Sequence, residues 1–438
     1  MKNGKGNGRL MTNLKMLLNK DFLKKHLLET GVVLCFVLPP VGIVWLMCIG
    51  WNHLKQVIDL KAPFYLNATT FLFICLGIAT LGASFSEDSE AYMLMFAMIL
   101  GYLGLYLYIK ERATLSLIRR FKWMMIFGGI FIVIFGNIMR TFEVSNVILG
   151  GLTGTIFLGP SPSSDGRLFG SAYNPNFASF LLVLVLSFLL ADQLKRQSHK
   201  HIFKWEYMLI VTIICGIFQT GSRAGIGVMF LVLILYMLRF SPKIGIVAVA
   251  ILIILHNQIL DLLPRFNMLY EAIHERKEIW ETSIRIWKEY PFFGTTPLGY
   301  RHAYDQFTHP EPHAHNIFLG FFTEYGTIGG LAFLFIIMTF TLKLCCLLFI
   351  NGENKVLLNF FLLSLPVIFF TGIFDHPLVS PQTTLLTIIL LACFDRYTGS
   401  VPFLQKTVLY VNYKLVRVIY LENQRMARVE KHKVNRLG

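Results

Sequence analysis

The chain is dominated by apolar runs of roughly 20 residues, the length that an α-helix needs to cross a bilayer. Only 15% of its residues are charged, whereas soluble domains carry about 25%. The sequence therefore predicts an all-α, polytopic membrane protein with about eleven to twelve transmembrane helices. Candidate spans are 30–51, 64–83, 92–109, 122–139, 174–192, 203–221, 223–239, 243–260, 327–349, 356–374 and 382–396.

Basic segments between these runs indicate the orientation. Lysine and arginine cluster at 110–122, at 195–204 and in the last forty residues, and the positive-inside rule places such segments in the cytoplasm. An odd number of spans would put the basic N-terminus outside. We therefore expect Pro39-Pro40 to divide the first run into two short helices or a re-entrant hairpin, because proline removes helix hydrogen bonds.

This orientation divides the chain into five parts, with the region 261–314 as a large extracytoplasmic helical loop. Outer segments of that length are usually functional. The parts are a cytoplasmic N-terminus 1–26, transmembrane helices in 27–260 with an outer loop 140–173, the large loop 261–314, transmembrane helices in 315–396, and a basic cytoplasmic tail 397–438.

Residue usage disfavours two classes of function. The net charge of +15 comes mostly from segments between spans and from the tail, without the basic-aromatic alternation of a base-stacking groove, so no nucleic-acid partner is expected. All seven cysteines lie in or beside apolar runs and none forms a CxxC pair. Neither a zinc site nor a disulfide is therefore expected, and no metal or other cofactor is predicted.

Arg276 is unusually placed within the large loop. With Ile273 at the origin of a helix, Arg276, Trp280, Ile284 and Trp287 fall within about 80° of arc, which puts the guanidinium on the apolar stripe. A buried guanidinium is costly unless an anion meets it. That anion could be a substrate, or a structural partner such as Glu324 or Asp375.

Two outer helix starts are also candidate anion sites. Arg223 lies in Gly221-Ser222-Arg223-Ala224-Gly225, where Ser222 can cap a helix whose N-terminus attracts phosphate. The alternative is a snorkelling arginine beside a small-residue packing face. Asn174-Pro175-Asn176 forms a comparable start shortly after Arg167.

His315 lies where the proline-rich loop 310–314 enters an apolar run broken only by Glu324. An imidazole at a lipid–water boundary is a natural proton acceptor, although a lone histidine there can simply anchor a helix end. Three arginines and one histidine thus converge on one face. A phosphate held there by guanidinium groups, next to lipid, is most simply a lipid-linked pyrophosphate.

The same residues carry a family resemblance. His315-Asn316, followed after nine residues by Gly326-Thr327-Ile328-Gly329, resembles the signature of the O-antigen ligase and O-antigen polymerase superfamily of bacterial membrane glycosyltransferases. Residues 222–225, 276–280 with 290–294, and 167–176 are similar to further motifs of that family. One departure is Gly294-Thr295-Thr296-Pro297, where the family more often shows Gly-x-Gly. The resemblance therefore does not predict the conformation of the turn after Trp287.

The resemblance implies a GT-C-like fold and an inverting, metal-independent glycosyl transfer at the outer face of the bacterial cytoplasmic membrane. The implied donor is a polyprenyl-pyrophosphate-linked oligosaccharide, and the acceptor is a glycan or lipid-glycan. In the roles that the family implies, Arg223 and Arg276, with Arg167, bind the pyrophosphate and His315 deprotonates the attacking hydroxyl. Glu324 would orient His315 or the acceptor, with Asn174, Asn176, Asn316 and Asp375 in support.

Alternatives within and outside the superfamily are open at this point. Polymerase and ligase are not distinguished, and a protein O-oligosaccharyltransferase would use the same donor. A transporter or flippase for a lipid-linked glycan would instead place its ionisable residues near the bilayer midplane, often in repeated halves. The ionisable residues here lie at the outer boundary, which favours the transferase.

Overall fold

The computed structural model describes residues 26–85, 90–142, 151, 166–196, 204–255, 258, 269–307, 311–349, 354–399 and 401. Within these residues the protein is all-α, with fourteen α-helices, one 3-10 helix and no β-strand, as the apolar runs predicted. The helices are α1 Leu27–Val37, α2 Pro39–Ile58, α3 Ala68–Ser84, α4 Glu90–Arg112, α5 Leu115–Phe142, α6 Pro175–Arg196, α7 Lys204–Gln219, α8 Arg223–Phe240, α9 Pro242–Ile254, α10 Leu269–Glu289, α11 Thr296–Asp305, α12 Ile317–Phe349, α13 Lys355–Phe374, a 3-10 helix Pro377–Val379, and α14 Pro381–Gly399.

Six of these helices are long and apolar enough to cross a membrane, by length and composition: α4, α5, α6, α8, α12 and α13. Four shorter apolar helices accompany them, namely α1, α3, α9 and the part of α7 from Trp205 to Gln219. This architecture is that of a multi-pass membrane protein.

The first apolar run is two helices and not one. Helix α1 ends at Val37, and α2 begins with Pro39 at its N-terminus, where a missing N–H costs nothing. Gly42 lies directly against the backbone of Leu34 and Cys35, so close that a Cβ would overlap it. The two helices therefore pack closely side by side, which is one of the two arrangements predicted from the prolines.

Helix α6 occupies the centre of the bundle. Its residues from Phe177 to Ala191 are all buried, and it packs against α5, α7, α8 and α13. A helix that is apolar on every face is expected in such a position. The polar start of α6, Asn174 to Asn176, is consequently held within the protein.

Helices α10 and α11 form a cap with its own small core, made of Ile279, Ile286, Tyr300, Ala303, Tyr304 and Ala314. The chain between them interlocks with a kink in α12. Gly294 and Gly326 both have positive φ, 70° and 62°, and lie so close that a Cβ on either would overlap backbone atoms of the other segment. The N–H of Thr295 donates to the Thr323 carbonyl at 2.9 Å, and that of Thr327 to Pro291 at 2.8 Å.

This interlock resolves the turn left open by Gly294-Thr295-Thr296-Pro297. Gly294 supplies the left-handed conformation, and Thr296 also adopts a positive φ of 60°. Pro297 then lies in the first turn of α11, where proline is favoured.

The buried face of α10 differs from the predicted stripe. Ile273 and Ile284 are exposed, whereas Ile279, Ser283 and Ile286 are buried. Ser283 is polar, yet it lies on the buried face. Its hydroxyl donates to the Ile279 carbonyl and pairs with the Tyr300 hydroxyl, both at 2.7 Å, which removes the cost of burying it. Arg276 is half-buried at the edge of this face.

Several predicted segments lie wholly or mostly outside the described residues. They are the N-terminus 1–26, apart from His26, the tail 397–438, apart from 397–399 and 401, and most of the outer loop 140–173. In the large loop 261–314, the residues 261–268 and 308–310 are also outside.

Candidate functional site

The candidate site lies where several helix ends meet. Helices α6, α8 and α12 begin there, and α7 and α13 end there. Backbone contacts join these ends: the N–H of Leu168, in the segment before α6, donates to the carbonyl of Gln219, at the end of α7, at 2.9 Å. The chain thus brings loop residues from distant parts of the sequence into one region.

His315 and Asp375 form the central pair. His315 Nδ1 lies 3.0 Å from Asp375 Oδ1, although the residues are 60 positions apart. Their side chains are 17% and 4% exposed. Asp375 is the residue that follows α13, and His315 lies two residues before α12 with a positive φ of 48°. Non-glycine residues in this conformation are uncommon and concentrate at functional sites, because surrounding structure must hold them there.

The electrostatics of the pair stabilise a charged carboxylate on Asp375 and a protonated imidazole on His315. Burial by itself lowers the pKa of His315, but the hydrogen bond with Asp375 and the Glu311 carboxylate, 3.8 Å from Nε2, outweigh it and the net pKa is raised. Burial likewise tends to raise the pKa of Asp375, yet the contact with His315 and the charge of Arg276 hold it well below its usual range. Asp375 therefore stays ionised at neutral pH, and His315 is made more basic.

Arg276 lies directly beside this pair. Its Nη1 donates to the backbone carbonyl of His315 at 3.5 Å, across 39 residues of sequence. Among the residues that the structure describes, no carboxylate lies within ion-pair distance of Arg276. The structural partners considered for it, Glu324 and Asp375, do not form that pair, and its charge is available to the site.

Arg167 and Arg223 flank a second short segment. Arg167 Nε donates to the Thr220 carbonyl at 2.7 Å, and its Nη2 donates to Asn176 Oδ1 at 3.0 Å. Gly221, with a φ of 60°, packs on the Arg167 side chain. Ser222 Oγ accepts from the Gly225 N–H at 3.3 Å, so it caps α8, whose first residue is Arg223.

The structure supports both interpretations of the start of α8, as an anion site and as a small-residue packing face. The serine cap and the arginine are placed as an anion site requires. Gly225 also packs against Ser179 of α6 so closely that a Cβ would overlap its hydroxyl, which is the behaviour of a small-residue packing face. The starts of α6 and α8 lie near His313, because the ring of Phe177 in α6 is 6.2 Å from the ring of His313.

The asparagines proposed as supporting residues hold the helix starts. Asn174 Oδ1 accepts a hydrogen bond from the backbone N–H of Asn176 at 2.8 Å. Asn176 Oδ1 in turn accepts a hydrogen bond from Arg167 Nη2. Asn316 caps α12, accepting from the Leu319 N–H at 3.0 Å, and it donates to the Ile373 carbonyl at 2.9 Å. Asn316 thus ties the start of α12 to the end of α13, next to the central pair.

Glu324 contacts a different histidine from the one expected. Its Oε2 lies 3.2 Å from His376 Nε2, and both side chains are almost fully buried. The direct partner of His315 is Asp375, which the sequence offered only as a supporting residue. The distance along α12 places Glu324 two turns below His315, too far along the helix to meet it directly.

Sequence reasoning did not identify His313 and His376 as residues of this region. His313 accepts a hydrogen bond from the His315 N–H at 3.2 Å, and its ring packs edge-on against that of His315. Burial, followed by the nearby His315, lowers the pKa of His313 well below its ordinary value. The spacing His-x-His and the pair Asp375-His376 were the available signals, but neither shows which side chains meet.

His313, His315 and Asp375 also lie close enough to hold a cation, with donor atoms within 4.8 Å of one another. The sequence predicted no such cluster, because its members are separated by up to 62 positions. The His315–Asp375 hydrogen bond already uses one donor atom of each residue.

Comparison with known proteins agrees with the motifs. Residues 208–334 match the family model Wzy_C, described as O-antigen ligase. The matched region contains Arg223, Arg276, His315 and Glu324. The match confirms the resemblance to the O-antigen ligase and polymerase superfamily. A search of curated proteins found no match.

Proposed function

We propose, from this family match, that the protein is a glycosyltransferase of the bacterial cytoplasmic membrane that takes a glycan from a polyprenyl-pyrophosphate carrier. The observation that carries the proposal is the arrangement of His315 between Asp375, at 3.0 Å, and the guanidinium of Arg276, at 3.5 Å from its carbonyl. A base and a cation side by side are what this transfer needs.

In this reaction a hydroxyl oxygen of the acceptor attacks the anomeric carbon of the donor sugar. The carbon–oxygen bond to the pyrophosphate breaks, and its electron pair leaves with the pyrophosphate oxygen. Nε2 of His315 takes the acceptor proton, because Nδ1 is engaged by Asp375. Attack from the side opposite the leaving group inverts the configuration of the sugar.

The arginines stabilise the leaving group. Negative charge grows on the bridging oxygen as the bond breaks, so fixed cations stabilise the transition state more than the bound donor. Arg276 lies nearest to the base, and Arg223 and Arg167 flank the neighbouring helix start. We assign the pyrophosphate to this set, with the site on the extracytoplasmic face.

The decisive test uses the donor that accumulates in cells lacking the protein. Membrane extract of a deletion strain, which contains both the lipid-linked glycan and its acceptor, is incubated with protein purified in lipid nanodiscs, and release of polyprenyl pyrophosphate is followed by mass spectrometry. Wild-type protein is expected to release it, His315→Ala is expected not to, and Arg276→Ala is expected to release it about 10²–10³-fold less efficiently. His274→Ala is the matched control, because His274 lies on the same helix as Arg276 and its side chain is 67% exposed.

The outcome separates the transferase from a transporter. Movement of intact donor into vesicles without release of pyrophosphate would contradict the proposed function. Glycan analysis of the deletion strain then separates the members of the superfamily. A single repeat left on the anchor indicates a polymerase, unattached long chains on the carrier indicate a ligase, and loss of glycan from proteins indicates an O-oligosaccharyltransferase.

A further inference from the structure

Beneath the central pair lies a second His–carboxylate pair, formed by His376 and Glu324. Their side chains are 2% and 1% exposed, and His376 Nε2 lies 3.2 Å from Glu324 Oε2. Within the described part of the chain, no lysine or arginine forms an ion pair with Glu324. A buried carboxylate held by one imidazole is costly, so its presence indicates a role.

Helix α12 packs closely against the His376 ring. Gly320 lies against the ring so closely that a Cβ would overlap it. Phe321, on the next position of the helix, has its ring 5.9 Å from that of His376 and is itself stacked on Phe333 at 3.9 Å. The ring is thus held by packing on one side and by Glu324 at its Nε2 atom.

The backbone of His376 connects the His376–Glu324 pair to the central pair. Its N–H donates to Asp375 Oδ1 at 2.8 Å, and the same oxygen lies 3.0 Å from His315 Nδ1. The orientation of the Asp375 carboxylate therefore depends on the 375–376 peptide. That peptide in turn is held in place by the His376 side chain.

We infer that Glu324 and His376 are positioning residues, which act through the 375–376 peptide to hold Asp375 against His315. The inference rests on the proposed function and deepens it. Neither residue needs to touch the substrate, since both ring and carboxylate are buried. The required property is the hydrogen bond between the two side chains and not the charge of Glu324.

The substitution series separates the hydrogen bond from the charge. Glu324→Gln keeps the shape and a hydrogen-bonding group for His376 Nε2 but has no charge, whereas Glu324→Ala removes both. We expect Glu324→Ala and His376→Ala each to reduce kcat at least about tenfold with little change in the donor KM, because misplaced catalytic groups slow chemistry without weakening binding. Glu324→Gln is expected to retain most of the activity.

The assay is the release of polyprenyl pyrophosphate from the lipid-linked glycan in the membrane extract of the deletion strain, which also contains the acceptor, with purified protein in nanodiscs. The double variant Glu324→Ala/His376→Ala is expected to lose no more activity than either single variant, since both act through one contact. His274→Ala/Glu278→Ala is the matched control. It removes an exposed His–Glu pair, 3.6 Å apart on α10, and is expected to leave kcat unchanged.

Three results would overturn the inference. Full activity of Glu324→Ala would show that the pair does not position Asp375, and equal loss in Glu324→Gln and Glu324→Ala would show that the charge matters instead. A rise in donor KM at unchanged kcat would place the pair in binding. If His315→Ala remained active, the proposed function itself would fail, so the two failures are distinguishable. Glu324→Gln and thermal unfolding of each variant guard against a simple loss of folding.

Discussion

Asp375 Oδ1 accepts two hydrogen bonds in the structure, one from its neighbour's backbone N–H and one from the Nδ1 of His315, 60 residues earlier. A carboxylate oxygen at this position favours the tautomer of His315 with its proton on Nδ1, so that Nε2, which lies 3.8 Å from Glu311 Oε2, carries the lone pair. The Asp375 oxygen also ties the end of α13 to the start of α12.

Replacing Asp375 by asparagine should therefore impair chemistry more than binding. Asp375→Asn keeps the size of the side chain but removes the negative charge that stabilises a protonated His315. Since general base catalysis contributes about 10²–10⁴-fold, we expect kcat to fall by at least about 10²-fold. Steady-state release of polyprenyl pyrophosphate measures this change, and an unchanged kcat would exclude the assigned role of Asp375.

The pH dependence follows from the raised pKa of His315. The base must be neutral, so activity is expected to fall as the pH drops through the pKa of His315, which lies above the ordinary 6.5. Contacts with Asp375 raise that pKa, and Asp375→Asn should therefore move the acidic limb to lower pH. A kcat/KM profile of both proteins measures the shift, and a limb that stays in place would show that another group titrates.

Arg276 should contribute more than a positive charge in its neighbourhood. Arg276→Ala is expected to lower kcat/KM for the donor by about 10²–10³-fold, as for loss of one preorganised group at the leaving oxygen. Arg276→Lys should recover part of it, because lysine carries the charge without the planar fork. Lys277→Ala provides the control, since Lys277 is the next residue of α10 and is 70% exposed. Similar losses in both alanine variants would indicate a general field effect.

The interlock at Gly326 should matter for stability. Gly326 has a φ of 62° and lies against the backbone of Phe292 and Phe293, so Gly326→Ala introduces both strain and overlap. Strain of this kind costs about 1–3 kcal/mol. Gly227→Ala is the matched control, because a Cβ there meets no atom within 4 Å and α8 is helical at that position. Thermal unfolding in detergent is expected to show a lower Tm only for Gly326→Ala.

The proposed mechanism uses guanidinium groups and no metal ion. We therefore expect the purified protein to keep its activity after treatment with EDTA and in buffer containing no divalent cation. The test is informative because His313, His315 and Asp375 are close enough to bind a cation. Loss of activity on chelation, restored by a divalent metal, would assign these residues as ligands.

Part of the geometry of the candidate site could be predicted from the motifs. Arg276 and His315 were expected near each other, and the two residues are in contact. The α12 signature was also informative, since Asn316 caps the helix and Gly326 adopts the positive φ that only glycine adopts easily. The motifs could not show which carboxylate contacts His315. Glu324 and Asp375 are both acidic residues next to apolar segments, and the sequence does not show which of them lies near the imidazole.

The sequence by itself determined the properties that depend on about twenty consecutive residues: the all-α class, the division of the first run at Pro39-Pro40, and the polar residues at helix ends. Hydropathy and backbone chemistry act at that range, so they can be read locally. Only the tertiary structure decided that Asp375 meets His315, that Glu324 meets His376, and that α10 buries Ser283 and not Ile284. These pairings depend on how helix ends separated by tens of residues pack together. A hydrogen bond formed across such a contact offsets the cost of burying a polar side chain, so a residue such as Ser283 can lie in the interior.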